Sequence, residues 1–161
     1  MVLAFSGHRP ERLPWGNDES DPRCAALRAL MRLGLGRAAA AGFTDFLCGM
    51  ARGCDFYFAE EVLSLREDLP ELRLTAVLPC PSQPDGWREA DRTRYRALCA
   101  RCAEVLVLEP SYSDGCMLRR NRWMIGHADA LMTVYDGGGG GTAQAVRCAE
   151  ERGVPVFPLW L

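Results

Sequence analysis

The sequence contains no lysine, because all nineteen of its basic residues are arginine. A chain without lysine has no side-chain amine for a Schiff base and no phosphate-binding lysine of the Walker type. It has only two histidines, His8 and His127, and a net charge of −2. A chain with this charge lacks the net positive charge that is typical of nucleic-acid-binding proteins. We attribute the missing lysine to a GC-rich genome.

Long apolar runs are also absent from the sequence. No segment approaches the length of about twenty apolar residues that spans a bilayer. The apolar start of the chain is too short for a signal peptide and lacks a basic segment before it. We therefore expect a cytoplasmic protein with no membrane partner. A length of 161 residues suits one domain with its own core, so we predict a single domain over residues 1–161.

Cysteine is abundant by contrast, with eight residues. Only Cys99 and Cys102 form a C-x-x-C pair, and this pair falls inside a helix predicted over residues 92–103. No second pair completes the four ligands of a zinc site. We predict no metal site and expect most cysteines to be small apolar residues of the core.

Short apolar runs alternate with helical patterns along the whole chain. Alternation of this kind predicts right-handed βαβ crossovers and an α/β fold with a mainly parallel sheet flanked by helices. Pro155 and Pro158 confine the last strand to an edge or a strand end. The predicted strands are 2–5, 43–48, 72–78, 103–108, 130–135 and 154–159. The predicted helices start at 22, 55, 92, 116 and 142 and end near 42, 65, 103, 127 and 152.

Five consecutive glycines, residues 137–141, separate the fifth predicted strand from the last predicted helix, which begins at Thr142. Glycine leaves its backbone N–H groups uncovered and readily takes positive φ. A helix N-terminus directly behind such a run adds unpaired donors and a partial positive charge. The run therefore suits a phosphate or another anion. A flexible loop without a ligand is the alternative.

Polar or glycine-rich segments follow four of the predicted strands. These segments are 6–10, 49–55, 111–115 and 137–142, and a parallel sheet brings them to one rim. There Arg9 and Arg52 suit bidentate recognition of phosphate or carboxylate. Three alternatives stay open: His8 caps a loop or binds a backbone carbonyl, Arg52 is a solvated surface charge, and Asp55 caps the second helix.

Four motifs occur in order over essentially the whole chain: S-G-H-R-P at 6–10, G-M-A-x-G-x-D at 49–55, Y-S-x-G-C-M-x-x-R-N at 112–121, and Y-D-G with G-G-T at 135–142. Together they resemble the YpsA-like (DUF1273-type) branch of the SLOG superfamily. That superfamily also includes the LOG (lysine-decarboxylase-like) and DNA-processing proteins. The resemblance implies a Rossmann-like three-layer domain with a nucleotide-type ligand at the rim.

The LOG phosphoribohydrolases, whose signature is M-x-x-R-K followed by P-G-G-x-G-T-x-x-E, allow a closer comparison. Arg120 stands at their functional arginine, whereas Asn121 replaces the lysine and Gly137 the proline. Their glutamate is replaced by Ala145, and the neighbouring Gln144 is neutral. An alanine neither activates water nor stabilises an oxocarbenium-like centre. The phosphate-binding glycines are thus retained without the carboxylate of the known reaction.

These features support three hypotheses of function. The first is a binding or sensor protein for a nucleotide-derived ligand such as ADP-ribose or a nucleoside monophosphate. The second is a nucleotide-processing hydrolase of N-glycosidase or phosphoribohydrolase type, with His8, Asp55 and Arg120 as catalytic candidates. The third is single-stranded DNA binding through the arginines of residues 88–101, which the net acidity opposes. We expect no nucleic-acid partner, and the helices that flank such sheets are compatible with a homo-oligomer.

The predicted ligand- or phosphate-binding residues combine the rim segments with the LOG-like helix. They are Ser6, Gly7, His8, Arg9, Gly49, Arg52, Gly53, Asp55, Arg120, Asn121, Gly138, Gly139, Gly140, Gly141 and Thr142. The identity of the ligand depends on side-chain geometry that the sequence does not define.

Overall fold

The structure is a computed structural model that describes residues 1–159, in which strands and helices alternate along the chain. The strands are β1 (Val2–Gly7), β2 (Asp45–Cys48), β3 (Arg73–Leu78), β4 (Glu104–Val107), β5 (Ala130–Val134) and β6 (Val156–Leu159). The helices are α1 (Pro22–Ala40), α2 (Cys54–Leu65), α3 (Glu89–Arg101), α4 (Cys116–Gly126) and α5 (Gly141–Glu151). A short 3₁₀ turn, Pro10–Arg12, follows β1.

The six strands form one parallel sheet in the order β4-β3-β2-β1-β5-β6. The parallel arrangement confirms the prediction from the alternating pattern. β6 lies at an edge, as its two prolines require, because proline donates no hydrogen bond to a neighbouring strand. One core cluster packs beneath α1, α2 and α3, and a second packs beneath α4 and α5. The prediction of a Rossmann-like three-layer α/β fold is confirmed.

Alternating side chains of the central strand enter the two core clusters on opposite faces of the sheet. Phe5 belongs to the first cluster and stacks on Phe58 with ring centroids 4.3 Å apart. Ala4 faces the other way, into the second cluster with Ala145 and Ala149 of α5. These small side chains let α5 pack closely on the sheet, which places its N-terminus beside the end of β1.

α3 begins three residues earlier than predicted. Glu89 and Asp91 lie in its first turn, where acidic side chains interact favourably with the helix dipole. Arg88 and Arg92 pair with these two carboxylates. The earlier boundary leaves Cys102 at the C-cap of the helix instead of within it.

Most of the cysteines belong to the core, as predicted. All eight are free thiols, and five are buried, including Cys48 and Cys54. Burial raises the pKa of both of these thiols. Within residues 1–159, no three or more His, Cys, Asp or Glu side chains are grouped so as to hold a metal ion. Among the helices described, none combines the length and the apolar character needed to cross a membrane.

Candidate functional site

The topology of the sheet creates a crevice between β1 and β5. From β1 the chain winds outward through β2 and β3 to β4, and then returns through α4 to β5 on the other side of β1. The strand order therefore reverses at β1 and β5. In open parallel sheets, ligands bind beyond the carboxyl ends of the strands at such a switch point.

A cavity of about 270 Å³ lies in this crevice. Its volume is near the lower end of the range for small-molecule sites, about 300–1,000 Å³, and leaves room for a phosphate and a sugar. Eleven of the predicted residues line its wall: Ser6, Gly7, His8, Arg9, Asp55, Arg120, Asn121, Gly139, Gly140, Gly141 and Thr142.

The loop of residues 137–141, called the glycine loop below, has free amides at the cavity. Gly140 is the N-cap of α5, and none of the described side chains caps the helix. The amide of Gly138 donates to Asp136 Oδ1 over 2.8 Å, which stabilises the turn that enters the loop. Within residues 1–159, the amides from Gly139 to Thr142 donate no hydrogen bond to protein atoms. Unpaired amides at a helix N-terminus form an anion-binding site.

Arg120 is buried, with 4% of its surface exposed. Its Nη1 donates to the carbonyls of Gly49 and Val77, and its Nε donates to Asn121 Oδ1 over 2.8 Å. Among the described residues, Nη2 donates to no protein atom. Because the side chain lines the cavity, this unpaired nitrogen is available to a ligand.

Asp55 lies in the first turn of α2, where Gly53 and not Asp55 is the N-cap. Its carboxylate turns back instead and accepts from the amide of Ala51 over 3.1 Å. It is 5% exposed and lines the cavity. Burial raises the pKa of Asp55, and the charge of Arg120 offsets part of that rise.

The loop between β2 and α2 has a strained backbone and is held in place by the side chain of Gln83. Met50 is fully buried with φ of 55°, a left-handed conformation that a non-glycine residue rarely adopts. The side-chain amide of Gln83 donates to the carbonyls of Gly49 and Met50 over 3.0 and 3.1 Å. This contact fixes the loop whose Ala51 amide orients Asp55.

His8 contacts the loop that leads from β5 into the glycine run. Its Nε2 lies 3.2 Å from the amide of Asp136 and 3.0 Å from Asp136 Oδ1. One ring nitrogen serves both contacts, so a neutral ring accepts from the amide and a protonated ring donates to the carboxylate. Of the two alternatives from the sequence, the contact with the Asp136 amide agrees with a histidine that caps a loop, and the partner is not a backbone carbonyl. The Gly138 amide and, to a lesser extent, His8 hold the pKa of Asp136 below its usual value.

Four of the predicted residues lie outside the cavity wall. The carbonyl of Gly49 is bound by Arg120, and Gly53 packs with its α-carbon against the backbone of residue 8. Gly138 uses its amide within its own loop. Arg52 pairs with Glu11 and lies over the ring of Trp87, so it is neither at the cavity nor a free surface charge. These four residues shape the loops around the cavity.

The segment 111–115 also does not line the cavity. It follows β4, which is the edge strand farthest from β5, and so the end of this strand lies away from the crevice. The next helix, α4, crosses back and contributes Arg120 and Asn121 from its middle. The prediction that the strand ends converge was therefore right for β1, β2 and β5 and wrong for β4.

Seven cavity residues were not predicted from the sequence, and two of them, Arg12 and Glu11, are charged. Arg12 lies in the 3₁₀ turn after β1, with its guanidinium over the glycine loop and 3.4 Å from Asp136 Oδ1. Glu11, beside it, lines the same wall. No motif marks either residue, because a 3₁₀ turn has no strong sequence pattern. The only available signal was their position just beyond Pro10.

The arginines of α3 are neutralised, contrary to the idea of a basic face. Arg94 pairs with Glu19 and Glu60. The other four arginines of residues 88–101 also pair with carboxylates. Those pairs are Arg88 with Asp91, Arg92 and Arg96 with Glu89, and Arg101 with Glu67. The helix therefore offers no free arginine of this group to a nucleic acid.

The fold and the site define a Rossmann-like α/β protein with main-chain amides and arginine side chains at the switch point of its sheet. Residues 3–151 match the model of the YpsA family (YspA SLOG family). The chain therefore belongs to this SLOG family.

Curated relatives extend over most of the chain. A UPF0398 protein of Bacillus velezensis is 26% identical over 165 residues, which cover 98% of this chain and 90% of the relative. A UPF0398 protein of Bacillus pumilus is 25% identical over 137 residues, covering 84% and 73%. Both relatives support the YpsA-like assignment made from the motifs.

A solved structure shares the fold. DNA processing protein A from Helicobacter pylori, which was studied for its mode of single-stranded DNA binding, superposes with a TM-score of 0.66 at 17% identity. The match covers 98% of this chain and spans 64% of the length of that protein. At this level of identity the likeness shows the fold alone.

The raised pKa of Asp55 predicts a pH dependence of stability. An acid whose pKa is higher in the folded state destabilises the fold as pH rises from the ordinary aspartate pKa of 3.8 through the pKa of the folded state. We expect Asp55→Asn to lack this loss, so the stability of the variant relative to wild type rises with pH. Urea denaturation at several pH values from 4 to 7 measures it, and a difference that stays constant would contradict the burial argument.

Proposed function

We propose that the protein binds a nucleotide-derived ligand in the β1–β5 cavity and acts as a binding or sensor protein. One observation carries the proposal: the unpaired amides of residues 139–142 share a cavity with the unpaired Nη2 of a buried arginine, Arg120. Both groups attract an anion, and a desolvated site strengthens that attraction.

The phosphate is expected at the end of the cavity formed by the glycine loop. The dipole of α5 and the loop amides act there together. Arg9 lines the cavity and pairs with no carboxylate among the described residues, and Arg12 pairs there with the carboxylate of Asp136. Asp55 repels a phosphate and accepts hydrogen bonds, so its end of the cavity suits sugar hydroxyls instead.

The cavity wall also has an apolar part. Met117, Leu118 and Met124 of α4 line the cavity together with these polar groups. Flexible apolar side chains of this kind pack against a sugar or a base without specifying one. The cavity volume accommodates a phosphate and a sugar, so the base extends toward the opening.

The position of Ala145 favours binding over hydrolysis. Its side chain is 1% exposed and packs in the second core cluster, away from the cavity. The LOG-like carboxylate of α5 therefore has no substitute at its own position. Asp55 supports hydrolysis as the second candidate, because its raised pKa is a property of general acids.

Single-stranded DNA binding is a third possibility, supported by the fold shared with DNA processing protein A. The net charge of −2 and the neutralised arginines of α3 oppose it. Binding of an oligonucleotide that weakens steeply with added salt would favour this function.

The proposal is tested with gently purified protein. We expect mass spectrometry to detect a co-purifying nucleotide, and calorimetry to give dissociation constants of roughly micromolar order for AMP or ADP-ribose. Chromatography of the same mixtures should show no released base. Base release that disappears in Asp55→Asn would establish the hydrolase instead. Absence of nucleotide binding at millimolar concentration would refute the proposed site.

A further inference from the structure

A second groove runs along the surface between α4 and α5. Its volume is about 190 Å³. The residues that line it are Leu118, Asn121 and Arg122 of α4 and Gln144, Arg147, Cys148 and Glu151 of α5. None of them except Asn121 was predicted as a site residue.

The groove adjoins the first cavity. Leu118 and Asn121 line both spaces, so these two residues form the boundary between them. Asn121 accepts from Arg120 Nε and places its amide nitrogen 3.5 Å from the carbonyl of Gly141. A ligand seated on the glycine loop therefore reaches the groove by passing over the first turn of α5.

The arginines that remain unpaired are concentrated around these two spaces. Twelve of the nineteen arginines form ion pairs with carboxylates among the described residues. Of the other seven, Arg9 and Arg120 line the first cavity, and Arg122 and Arg147 line the groove. Elsewhere on the surface most positive charges are neutralised, whereas here two arginines line one groove and form no ion pair with a carboxylate among the described residues.

We propose that this groove holds a second phosphate of the ligand whose first phosphate occupies the glycine loop. The inference rests on the proposed function of the first cavity. It makes Arg122 and Arg147 ligand-binding residues, and it assigns the ligand to nucleotides with two separate phosphate groups.

The spacing selects the type of ligand. Gly141 and Arg147 are six residues apart on α5, which is roughly 9 Å along the axis at 1.5 Å per residue. The two phosphorus atoms of a diphosphate share one bridging oxygen and lie too close together to occupy both places. Phosphates on the two sides of one sugar lie farther apart, and a long helical side chain such as that of Arg147, which leans toward the helix N-terminus, covers the rest of the separation. A nucleoside 3′,5′-bisphosphate and the backbone of a nucleotide strand both have this chemistry.

Glu151 sets the far limit of the second phosphate site. Among the described residues that line the groove, Glu151 is the one acidic residue, and it lies one helical turn beyond Arg147. A phosphate next to it would be repelled, so the phosphate sits on the side of Arg147 that faces the first cavity. Glu151→Gln is therefore expected to tighten binding of a bisphosphate.

The test compares AMP, adenosine 3′,5′-bisphosphate and the dinucleotide pApA by calorimetry at one salt concentration. Wild-type protein should bind at least one of the two longer ligands about tenfold more tightly than AMP, the effect of one charge-assisted contact. The double variant Arg122→Gln/Arg147→Gln should lose this advantage and keep its AMP affinity within about twofold. Arg37→Gln, an exposed and unpaired arginine on α1, is the matched control and should change nothing.

The outcomes separate the two proposals. An advantage confined to the bisphosphate identifies a free nucleotide as the source of the second phosphate, and one confined to pApA identifies a strand. If AMP binds and the longer ligands bind no more tightly, or if their higher affinity persists in the double variant, the phosphate site in the groove is refuted. The proposed ligand site in the first cavity is then unaffected. Failure of all three ligands to bind overturns both.

Discussion

Replacing Gly141 with aspartate is expected to abolish nucleotide binding and leave the fold intact. The new carboxylate would stand among the amides that are free for a phosphate, and juxtaposed like charges cost several kcal/mol, equivalent to an affinity loss of about 100-fold or more. A Cβ at Gly141 meets no atom within 4 Å. An acidic residue in the first turn of a helix is also favourable. Calorimetric titration with AMP measures the loss.

Gly141→Asn is the matched control, because it adds nearly the same atoms without the charge. It should weaken binding far less than the aspartate, and both variants should keep the thermal stability of wild type. Gly139 allows the same pair of substitutions, since a Cβ there is equally free. Gly138 and Gly140 do not, because Arg12 lies next to both of these glycines and Gly140 has φ of 111°. Equal affinity of the aspartate variant and wild type would show that the anion lies elsewhere.

Replacing Arg120 with methionine is expected to reduce the free energy of unfolding by about 3–5 kcal/mol, because it leaves buried hydrogen-bond acceptors with fewer donors, at about 1–3 kcal/mol for each buried group left unsatisfied. The change removes the Arg120 hydrogen bonds to the carbonyls of Gly49 and Val77 and to Asn121 Oδ1, and it takes the nearby positive charge away from the Asp55 carboxylate. Urea denaturation monitored by tryptophan fluorescence measures the change. Binding of AMP should be lost as well.

The adjacent Arg119 provides a control with the same substitution. Its guanidinium is half exposed and pairs with Glu109, and exposed pairs contribute roughly 0–1 kcal/mol. Arg119→Met should therefore have little effect on stability or binding. Adding Asp55→Asn to Arg120→Met should restore part of the lost stability, because a neutral amide then replaces the buried carboxylate that has no positive charge nearby. Similar losses for the two arginine variants would mean that Arg120 is not a buried charge.

The sequence predicted those parts of the fold that depend on local signals. Apolar runs and helical periodicity identified the alternating elements, and the start of α1 at Pro22 agrees with the prediction. Two prolines placed β6 at the edge of the sheet. The boundaries of α3 differed because ion pairs within its first turn extend the helix.

The candidate site was predicted where it depends on the ends of the central strands. Parallel strands β1 and β5 are neighbours, so the segments that follow them meet in one crevice. The position of the Arg52 side chain is not set by the strand ends. It depends on the turn after β1, because this turn holds its partner Glu11. The same turn brings Arg12 over the glycine loop, which no spacing along the chain indicates.

By itself the sequence determined the type of each element, the parallel character of the sheet and the position of the glycine run before a helix, because neighbouring residues produce these features. The tertiary structure decided which arginines remain unpaired, since ion pairs such as Arg94 with Glu19 join segments far apart in the chain. It also decided that Arg120 is buried with a free nitrogen and that Ala145 faces the core, because burial depends on how α4 and α5 pack on the sheet.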